Sequence, residues 1–394
     1  KKQPGAVKDL VLSRLTSPGE DGWTRLQVQG LASLAVVPDS HTVHTHLSDV
    51  MPVFIKVASI EDEDQPEMQE IAIESATRVM DAVQQDGLTL LMTELQGPMQ
   101  DKKKASHRRV AAQLLKHVFE NTSLEVVSVL SLILPALLPS ALADEDDEAL
   151  ATSMAALNAI TKKCKKEELA PYLNDVRSAV LSLITDSQTK KEDPEIFLPG
   201  LCDHKGLEPL YPIYQHGLMY GTAEARELAA KGLGELVNHT TEKALAPYAV
   251  KITGPLIRIV GDKFPGNVKK AIVDTLQALL IRGGETLKPF LPQLQTTYVK
   301  CLTDPPNSEA VRRKAAESLG LLARRAARTE PLINELSAFP GNSDPAARVA
   351  LVVALGEVLL NVKQSPSAAV QEKALNAVVS RGSTADAAAD ERQA

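Results

Sequence analysis

Three histidines, His41, His44 and His46, come nearest in this sequence to a set of metal ligands. Imidazole nitrogens bind zinc and copper, usually together with cysteine or carboxylate ligands. The intervals of three and two residues do not bring all three rings to one face of a helix. No cysteine is near, and Asp39 and Asp49 are the only carboxylates within reach. We therefore predict a polar junction between helices at this point and no metal site.

Other patterns that would support catalysis are missing from the sequence. It contains no glycine-rich phosphate loop, no nucleophile elbow and no kinase signature. The acidic runs at 61–64 and 144–148 lack the alternating ligands and the turn glycine of a calcium loop. The cysteines Cys164, Cys202 and Cys301 form no pair motif, which is ordinary in a reducing compartment. We predict a cytoplasmic protein that is not an enzyme and binds no cofactor.

Basic residues are concentrated in one part of the chain. The formal net charge of the whole sequence is −7, which argues against a surface devoted to nucleic acid. Residues 251–328, however, carry fourteen Lys and Arg against six Asp and Glu, a net charge of +8 that leaves −15 for the remainder. The candidates for binding a protein partner in this region are Arg258, Lys263, Lys269, Lys270, Arg312 and Arg313.

Two shorter basic runs, at 102–109 and 162–166, are predicted to lie at turns between helices, from which side chains reach phosphates. The first run supplies the candidates for contact with nucleic acid, which are Lys102, Lys103, Lys104, Arg108 and Arg109. Aromatic residues make up only 3% of the chain, so a base-stacking platform is not expected. The alternative is that basic residues keep the surface soluble or, like Arg312 and Arg348, make polar contacts between neighbouring repeats.

A recurring Leu-x-Pro phrase predicts the architecture that must position these residues. Its prolines, Pro171, Pro209, Pro247 and Pro289, follow one another at intervals of 38, 38 and 42 residues. A period of about 40 residues is typical of the helical pairs of HEAT and armadillo repeats. Because proline in the first turn of a helix loses no hydrogen bond, we predict that each phrase begins the second helix of a pair.

A second phrase marks the first helix of each pair. It is a short turn and a Val-Arg or Val-Lys step followed by small and aliphatic residues at helical spacing. Copies of this phrase or looser helical patterns occur at 71–83, 110–119, 149–160, 225–236, 268–279, 311–322 and 344–358. No segment alternates like a strand. We predict an all-α solenoid of about nine or ten HEAT-type repeats over residues 1–381, part of a larger chain, with a disordered tail at 382–394.

One apolar stretch reaches the length of a membrane helix. Residues 126–143 form eighteen consecutive positions without a charge. They include Pro135 and Pro139, and an acidic cluster follows at once. A helix buried between repeats explains the stretch without lipid, so we predict no contact with a membrane.

Several long segments resemble a known family. They read ITGPLIRIVGDKF at 252–264, NVKKAIVDTLQALL at 267–280 and LKPFLPQLQTTYVKCL at 287–302, and 197–237 resembles the adjoining repeats. Over 197–322 the chain resembles the C-terminal part of the general control translational activator family. Its members are very large, ribosome-associated HEAT-repeat proteins that activate the general amino acid control kinase. The resemblance is weaker on either side of these segments.

The resemblance implies a role in translational stress signalling. In this family a C-terminal HEAT region docks the N-terminal RWD domain of the kinase that phosphorylates initiation factor two alpha, and the full-length protein binds ribosomes. An arginine of that region is critical for kinase binding, and we expect Arg258 to correspond to it. Gly254 and Pro255 further predict a bent second helix with an exposed basic turn near Arg258. The alternatives are a peptide-binding scaffold of the transport or phosphatase type and an arm that contacts ribosomal RNA.

Overall fold

Helices follow one another along the parts of the chain that this computed structural model describes, which are residues 14–19, 22–36, 43–61, 66–192, 196–203, 205–338 and 344–382. No strand occurs within these ranges. The first nine α-helices are α1 Arg25–Val36, α2 Val43–Ala58, α3 Pro66–Asp81, α4 Leu88–Met99, α5 Ala105–Asn121, α6 Leu130–Ala143, α7 Asp147–Lys163, α8 Lys166–Leu169 and α9 Leu173–Lys191. The others are α10 Tyr211–Tyr220, α11 Ala223–Asn238, α12 Glu242–Val260, α13 Gly266–Arg282, α14 Leu291–Thr303, α15 Glu309–Arg325, α16 Glu330–Leu336, α17 Pro345–Asn361 and α18 Ala368–Gly382. The predicted all-α fold is confirmed.

The chain forms two compact units, Lys1–Ile213 and Tyr214–Ala394. In the first unit α1, α3, α5 and α7 stack as one layer, and α2, α4, α6 and α9 stack as the other. In the second unit the first layer is α11, α13, α15 and α17, against which α12, α14 and α16 pack, and α18 packs on α16. The described residues form nine helical pairs, one of which has a 3-10 helix and turns before α10 instead of a full first helix. The extent of a single domain, 1–381, stays a prediction, and the predicted tail lies outside the described residues beyond Gly382.

Small residues let helices of the first layer approach one another closely. A Cβ added to Gly234 of α11 would lie 3.0 Å from the Thr275 hydroxyl of α13. A Cβ added to Gly320 of α15 would lie 3.0 Å from the Glu357 carbonyl oxygen of α17. Buried alanines accompany these glycines on the same helices, namely Ala229, Ala230, Ala271, Ala315, Ala316, Ala347 and Ala354. The core is therefore made by close backbone packing and aliphatic side chains, as the scarcity of aromatic residues implies.

Three of the four Leu-x-Pro phrases lead into a second helix as predicted. Pro171 and Pro289 lie in 3-10 turns that run directly into α9 and α14, and Pro209 lies in the turn before α10. Pro247 differs, because α12 already begins at Glu242. The carbonyl that loses its helical partner to this proline is that of Lys243, an exposed residue, so water can satisfy it.

The interruption predicted at Gly254 and Pro255 is wrong. Helix α12 continues through both residues to Val260. The carbonyl left without a helical partner by Pro255 belongs to Lys251, which is exposed, so a second proline is tolerated for the same reason. The predicted exposed turn does follow the helix, at residues 261–263.

The apolar stretch at 126–143 is interior to the protein. Nine of the fourteen residues of α6 are buried, and Pro135 and Pro139 lie inside the helix on its exposed side. Among the described residues, no helix has both the length and the apolar character that crossing a bilayer requires.

Two glycine-to-alanine variants in the second unit test how closely the helices pack. A Cβ on Gly232 would lie 2.1 Å from the ring of Tyr214, which is fully buried. We expect Gly232→Ala to lower the free energy of unfolding by about 1–3 kcal/mol through overpacking. Gly356 of α17 has no atom within 4 Å of an added Cβ. Gly356→Ala should therefore stabilise by about 0.5–1 kcal/mol, the helix preference of alanine. Urea unfolding checks both, and shifts of the same sign would contradict close packing at Gly232.

Candidate protein-docking site

In the unit Tyr214–Ala394, the connections between helices lie at two opposite ends of the stack. We call the end formed by residues 261–265, 304–308 and the adjoining helix turns the docking edge. Chain reversals at 239–241, 283–290, 326–329 and 362–367 form the opposite edge. All six residues predicted to bind a protein partner lie at the docking edge, because they belong to the last turn of α12, the connection after it, and the first turns of α13 and α15.

Four of these six residues are exposed. They are Arg258, Lys263, Lys270 and Arg313. Lys270 makes a local ion pair with Asp274, its Nζ lying 2.8 Å from a carboxylate oxygen, and such exposed pairs contribute little. The exposed positive charge therefore comes from three successive repeats of the docking edge.

The other two residues are buried in contacts within the stack. Lys269 is 3% exposed and Arg312 is 4% exposed. The Lys269 ammonium donates to the side-chain oxygen of Asn307 at 3.0 Å and lies 3.6 Å from the Asp304 carboxylate. In turn Asn307 donates to the Cys301 carbonyl at 3.0 Å. Lys269 thus ties α13 to the connection that follows α14.

Arg312 continues this chain of contacts to the next repeat. Its guanidinium donates to the carbonyls of Asn307 and Asp304, both at 3.2 Å, and to the Asp344 carboxylate at 3.0 Å. Asp344 also caps α17 by accepting from the Ala346 N–H at 3.0 Å. The hydrogen bond from Arg312 is the largest of the effects that lower the pKa of Asp344. The alternative that Arg312 makes contacts between repeats is confirmed, and its charge faces no partner surface.

An equivalent arginine in α11 holds the start of the docking edge. Arg226 donates to the carbonyls of Leu218 and Met219 at the end of α10. Its guanidinium also lies 4.6 Å from the centre of the Phe264 ring, a cation–π contact. Since Phe264 follows Lys263 directly, this contact fixes the connection that presents Lys263. The Val311-Arg312 step of the sequence pattern and its looser copy Ala225-Arg226 carried the signal for these two arginines. A contact between repeats was an alternative for Arg312 and was not predicted for Arg226.

The first unit repeats the arrangement at the run 102–109. The Arg108 guanidinium donates to the Asp144 carboxylate at 2.7 and 2.5 Å and to the Asp101 carbonyl at 2.7 Å. Arg109 pairs with Glu148 and lies 3.7 Å from Glu61. Both arginines, predicted as contacts for nucleic acid, are therefore engaged within the stack.

The three lysines of the same run are exposed. Lys102, Lys103 and Lys104 form the turn before α5, and none has a side-chain partner within the described ranges. The Asp101 carboxylate accepts from the backbone N–H groups of Lys103 at 2.8 Å and Lys104 at 3.2 Å. The hydrogen bond from Lys103 is the main cause of the lowered pKa of Asp101. The turn is thus held in one conformation with three cations on its surface.

Of the histidine cluster, the structure describes the side chain of His46 but not that of His41 or His44. Among the described residues, no group of three or more His, Cys, Asp or Glu side chains is placed so that it could hold a metal ion. His46 lies 4.0 Å from the Asp49 carboxylate, and His41 lies outside the described residues.

The pair of Arg108 and Asp144 makes a testable contribution to acid stability. Burial alone would raise the pKa of Asp144, but hydrogen bonds from Arg108 and the Asp146 N–H outweigh it and hold the pKa below its usual value. The stabilisation is therefore complete above the unfolded pKa of about 3.9 and is lost as pH falls through the lower folded pKa. Asp144→Asn should lower the free energy of unfolding by about 2–3 kcal/mol at pH 7.

Urea unfolding between pH 7 and pH 2 measures this difference. The difference in unfolding free energy between wild type and Asp144→Asn should shrink toward pH 2, because the wild-type carboxylate is then protonated too. Glu145→Gln, an exposed neighbour, serves as the control and should change stability little. A difference between Asp144→Asn and wild type that is independent of pH would contradict the ionic contribution.

Comparison with known proteins shows the family of the chain. A family model described as "Stalled ribosome sensor GCN1-like, HEAT repeats" matches residues 9–205, half of the 394 residues. The chain belongs to this family. The family model matches mainly residues before 197, whereas the resemblance described above lies at 197–322. Features of the family therefore occur in both parts of the chain.

Curated relatives agree with this assignment to the GCN1-like family. The chain is 38% identical over 346 residues to "Protein ILITYHIA" of Arabidopsis thaliana, covering 88% of this chain and 12% of the relative. It is 32% identical over 357 residues to "eIF-2-alpha kinase activator GCN1" of Dictyostelium discoideum, covering 89% of this chain and 13% of the relative. It is 36% identical over 239 residues to the human "Stalled ribosome sensor GCN1", covering 60% of this chain and 9% of the relative. The chain thus spans only a small part of these proteins.

A solved structure supports the fold alone. A chain from the structure of the Pds5–Scc1 complex superposes with a TM-score of 0.52 at 14% sequence identity, covering 95% of this chain and 60% of that chain. The chain is therefore a HEAT-repeat scaffold of the GCN1-like family.

Proposed function

We propose that this chain is a non-catalytic, cytoplasmic scaffold whose docking edge binds the RWD domain of the kinase that phosphorylates initiation factor two alpha. Relatives from Dictyostelium discoideum and Saccharomyces cerevisiae carry the name "eIF-2-alpha kinase activator GCN1". The observation that carries the proposal is the group of four exposed basic side chains that three successive repeats present at the docking edge.

The docking edge suits recognition of an acidic protein surface. Arg258 lies on the exposed side of the last turn of α12, where a guanidinium can donate two parallel hydrogen bonds to a carboxylate. The backbone beneath is already held by Lys269, Arg312 and the contact of Arg226 with Phe264. Because little backbone has to be ordered on binding, less of the interaction energy is lost to entropy.

Replacing Arg258 tests the proposal. Arg258→Ala should weaken binding of the RWD domain by about 2 kcal/mol, or about 30-fold in Kd, if Arg258 is a central contact. The melting temperature should stay unchanged, because Arg258 is exposed and has no ion-pair partner among the described residues. Isothermal titration calorimetry and circular dichroism measure the two quantities.

A matched control lies at the other end of the same helix. Lys243 is exposed in the first turn of α12, so Lys243→Ala removes the same charge far from the docking edge and should leave the Kd unchanged. Equal affinity of wild type and Arg258→Ala would remove Arg258 from the interface. A peptide-binding scaffold of the transport or phosphatase type predicts that result too, since its ligand follows a helix face.

A second candidate function is contact of the first unit with ribosomal RNA. The human relative is named a stalled ribosome sensor, and the observation in its favour is the ordered turn with Lys102, Lys103 and Lys104 on its surface. Three adjacent lysines can neutralise successive phosphates, and this releases counterions.

The salt dependence of RNA binding tests this second function. Replacing Lys102, Lys103 and Lys104 together by alanine should reduce the slope of log Kd against log salt by about 2–3, the loss of three phosphate contacts. A structured RNA of ribosomal sequence is the probe in a filter-binding assay. The control replaces Lys190 and Lys191, which are exposed at the end of α9. An unchanged slope in the triple variant, or an equal loss in the control, would argue against this site.

A further inference from the structure

A groove of about 1110 Å³ lies at the opposite edge of the unit Tyr214–Ala394. Its walls are the connections at 283–290, 326–329 and 362–367, together with the start of α12 at Glu242. These segments come from successive repeats, so the groove runs across the stack and not along one helix. It lies away from the docking edge, since α12 begins in the groove and reaches Arg258 roughly 24 Å further along its axis.

Contacts between repeats hold the walls of the groove in place. The Arg325 guanidinium donates to the carbonyls of Gly284 at 3.2 Å and Ile281 at 2.7 Å, in the preceding repeat. The Glu330 carboxylate accepts from the Ser367 N–H at 2.7 Å, in the following repeat. Each of the three connections is therefore fixed to a neighbour.

Gly284 lines the groove next to Glu242. Its φ of 53° lies in the left-handed region, and a Cβ there would lie 1.6 Å from a carboxylate oxygen of Glu242. Only glycine meets both conditions without displacing Glu242. The groove is thus preformed, which lowers the entropy that a ligand must overcome.

Four basic side chains, Lys288, Arg325, Arg328 and Lys363, line the groove together with three acidic ones, Glu242, Glu285 and Glu330, which gives the lining a net charge of +1. Arg328 and Lys363 are exposed, and neither has an ion-pair partner among the residues that the structure describes. Two of the lining carboxylates are already engaged, since Glu285 pairs with Lys288 and Glu330 holds the Ser367 N–H. A ligand with carboxylates opposite Arg328 and Lys363 would complement these charges.

We infer that this groove binds an extended, acidic polypeptide segment. Neighbouring helices pack about 8–10 Å apart, so three successive connections span about 20 Å. An extended chain of about six residues covers that distance. Its carboxylates meet Arg328 and Lys363, while its backbone N–H groups face the carboxylates of the groove.

A nucleic-acid strand fits the same groove less well. It carries a phosphate charge about every 3.4 Å along each strand. Some of these phosphates would face Glu242, Glu285 and Glu330. A peptide, in contrast, can place its charges only where the cations are.

Fluorescence anisotropy with the whole chain tests the inference. The probe is a labelled nine-residue peptide of alternating Glu and Ser, and a second peptide has Gln in place of each Glu. We expect the Gln peptide to bind at least tenfold more weakly. The double substitution Arg328→Ala and Lys363→Ala should raise the Kd of the Glu peptide at least tenfold and leave that of the Gln peptide unchanged.

The matched control removes two exposed lysines of the same unit that lie outside both the groove and the docking edge, Lys231→Ala with Lys251→Ala, and should bind the Glu peptide like wild type. Hydrogen exchange should slow at 326–330 and 362–367 when the Glu peptide is bound. Equal affinity for both peptides would overturn the inference. So would equal weakening in the control, or tighter binding of a nine-nucleotide single-stranded RNA than of the Glu peptide.

Discussion

Close stacking of first-layer helices is the interaction on which the rest of each unit depends. A helical pair buries its apolar face only against the pairs before and after it. The glycines and alanines of these helices permit that approach, as the short distances around Gly234 and Gly320 show. A long side chain at these positions would separate the backbones, and the polar contacts between connections would lose their geometry.

Buried and half-buried arginines hold neighbouring repeats in a fixed register. Arg108, Arg226 and Arg312 each donate to backbone carbonyls at the end of the preceding helix or in the connection that follows it, and each contacts a group of the following repeat. An arginine suits this position because its planar guanidinium donates in several directions at once and stays charged. Loss of one would leave its partners, such as the buried carboxylate of Asp144, without compensation. The connections that these arginines contact are therefore held to the helices by hydrogen bonds and cation–π contacts.

Ordered connections give the second unit two separate surfaces. The docking edge presents Arg258, Lys263, Lys270 and Arg313 over buried contacts, and the groove at the opposite edge is held by Arg325 and Glu330. Because each helix has two ends, one repeat can contribute residues to both surfaces, and a change at one surface leaves the other unaltered. The two proposed binding sites therefore do not overlap.

The sequence by itself determined the helical repeat, most helices and the family resemblance, because periodic burial and long motifs are local properties of a chain. Only the tertiary structure decided which basic residues face solvent. Lys269 is buried beside exposed Lys270, and Arg312 is buried beside exposed Arg313. Adjacent residues of a helix point about 100° apart, and the packing of a repeat some 32–38 residues away determines which of the two is covered.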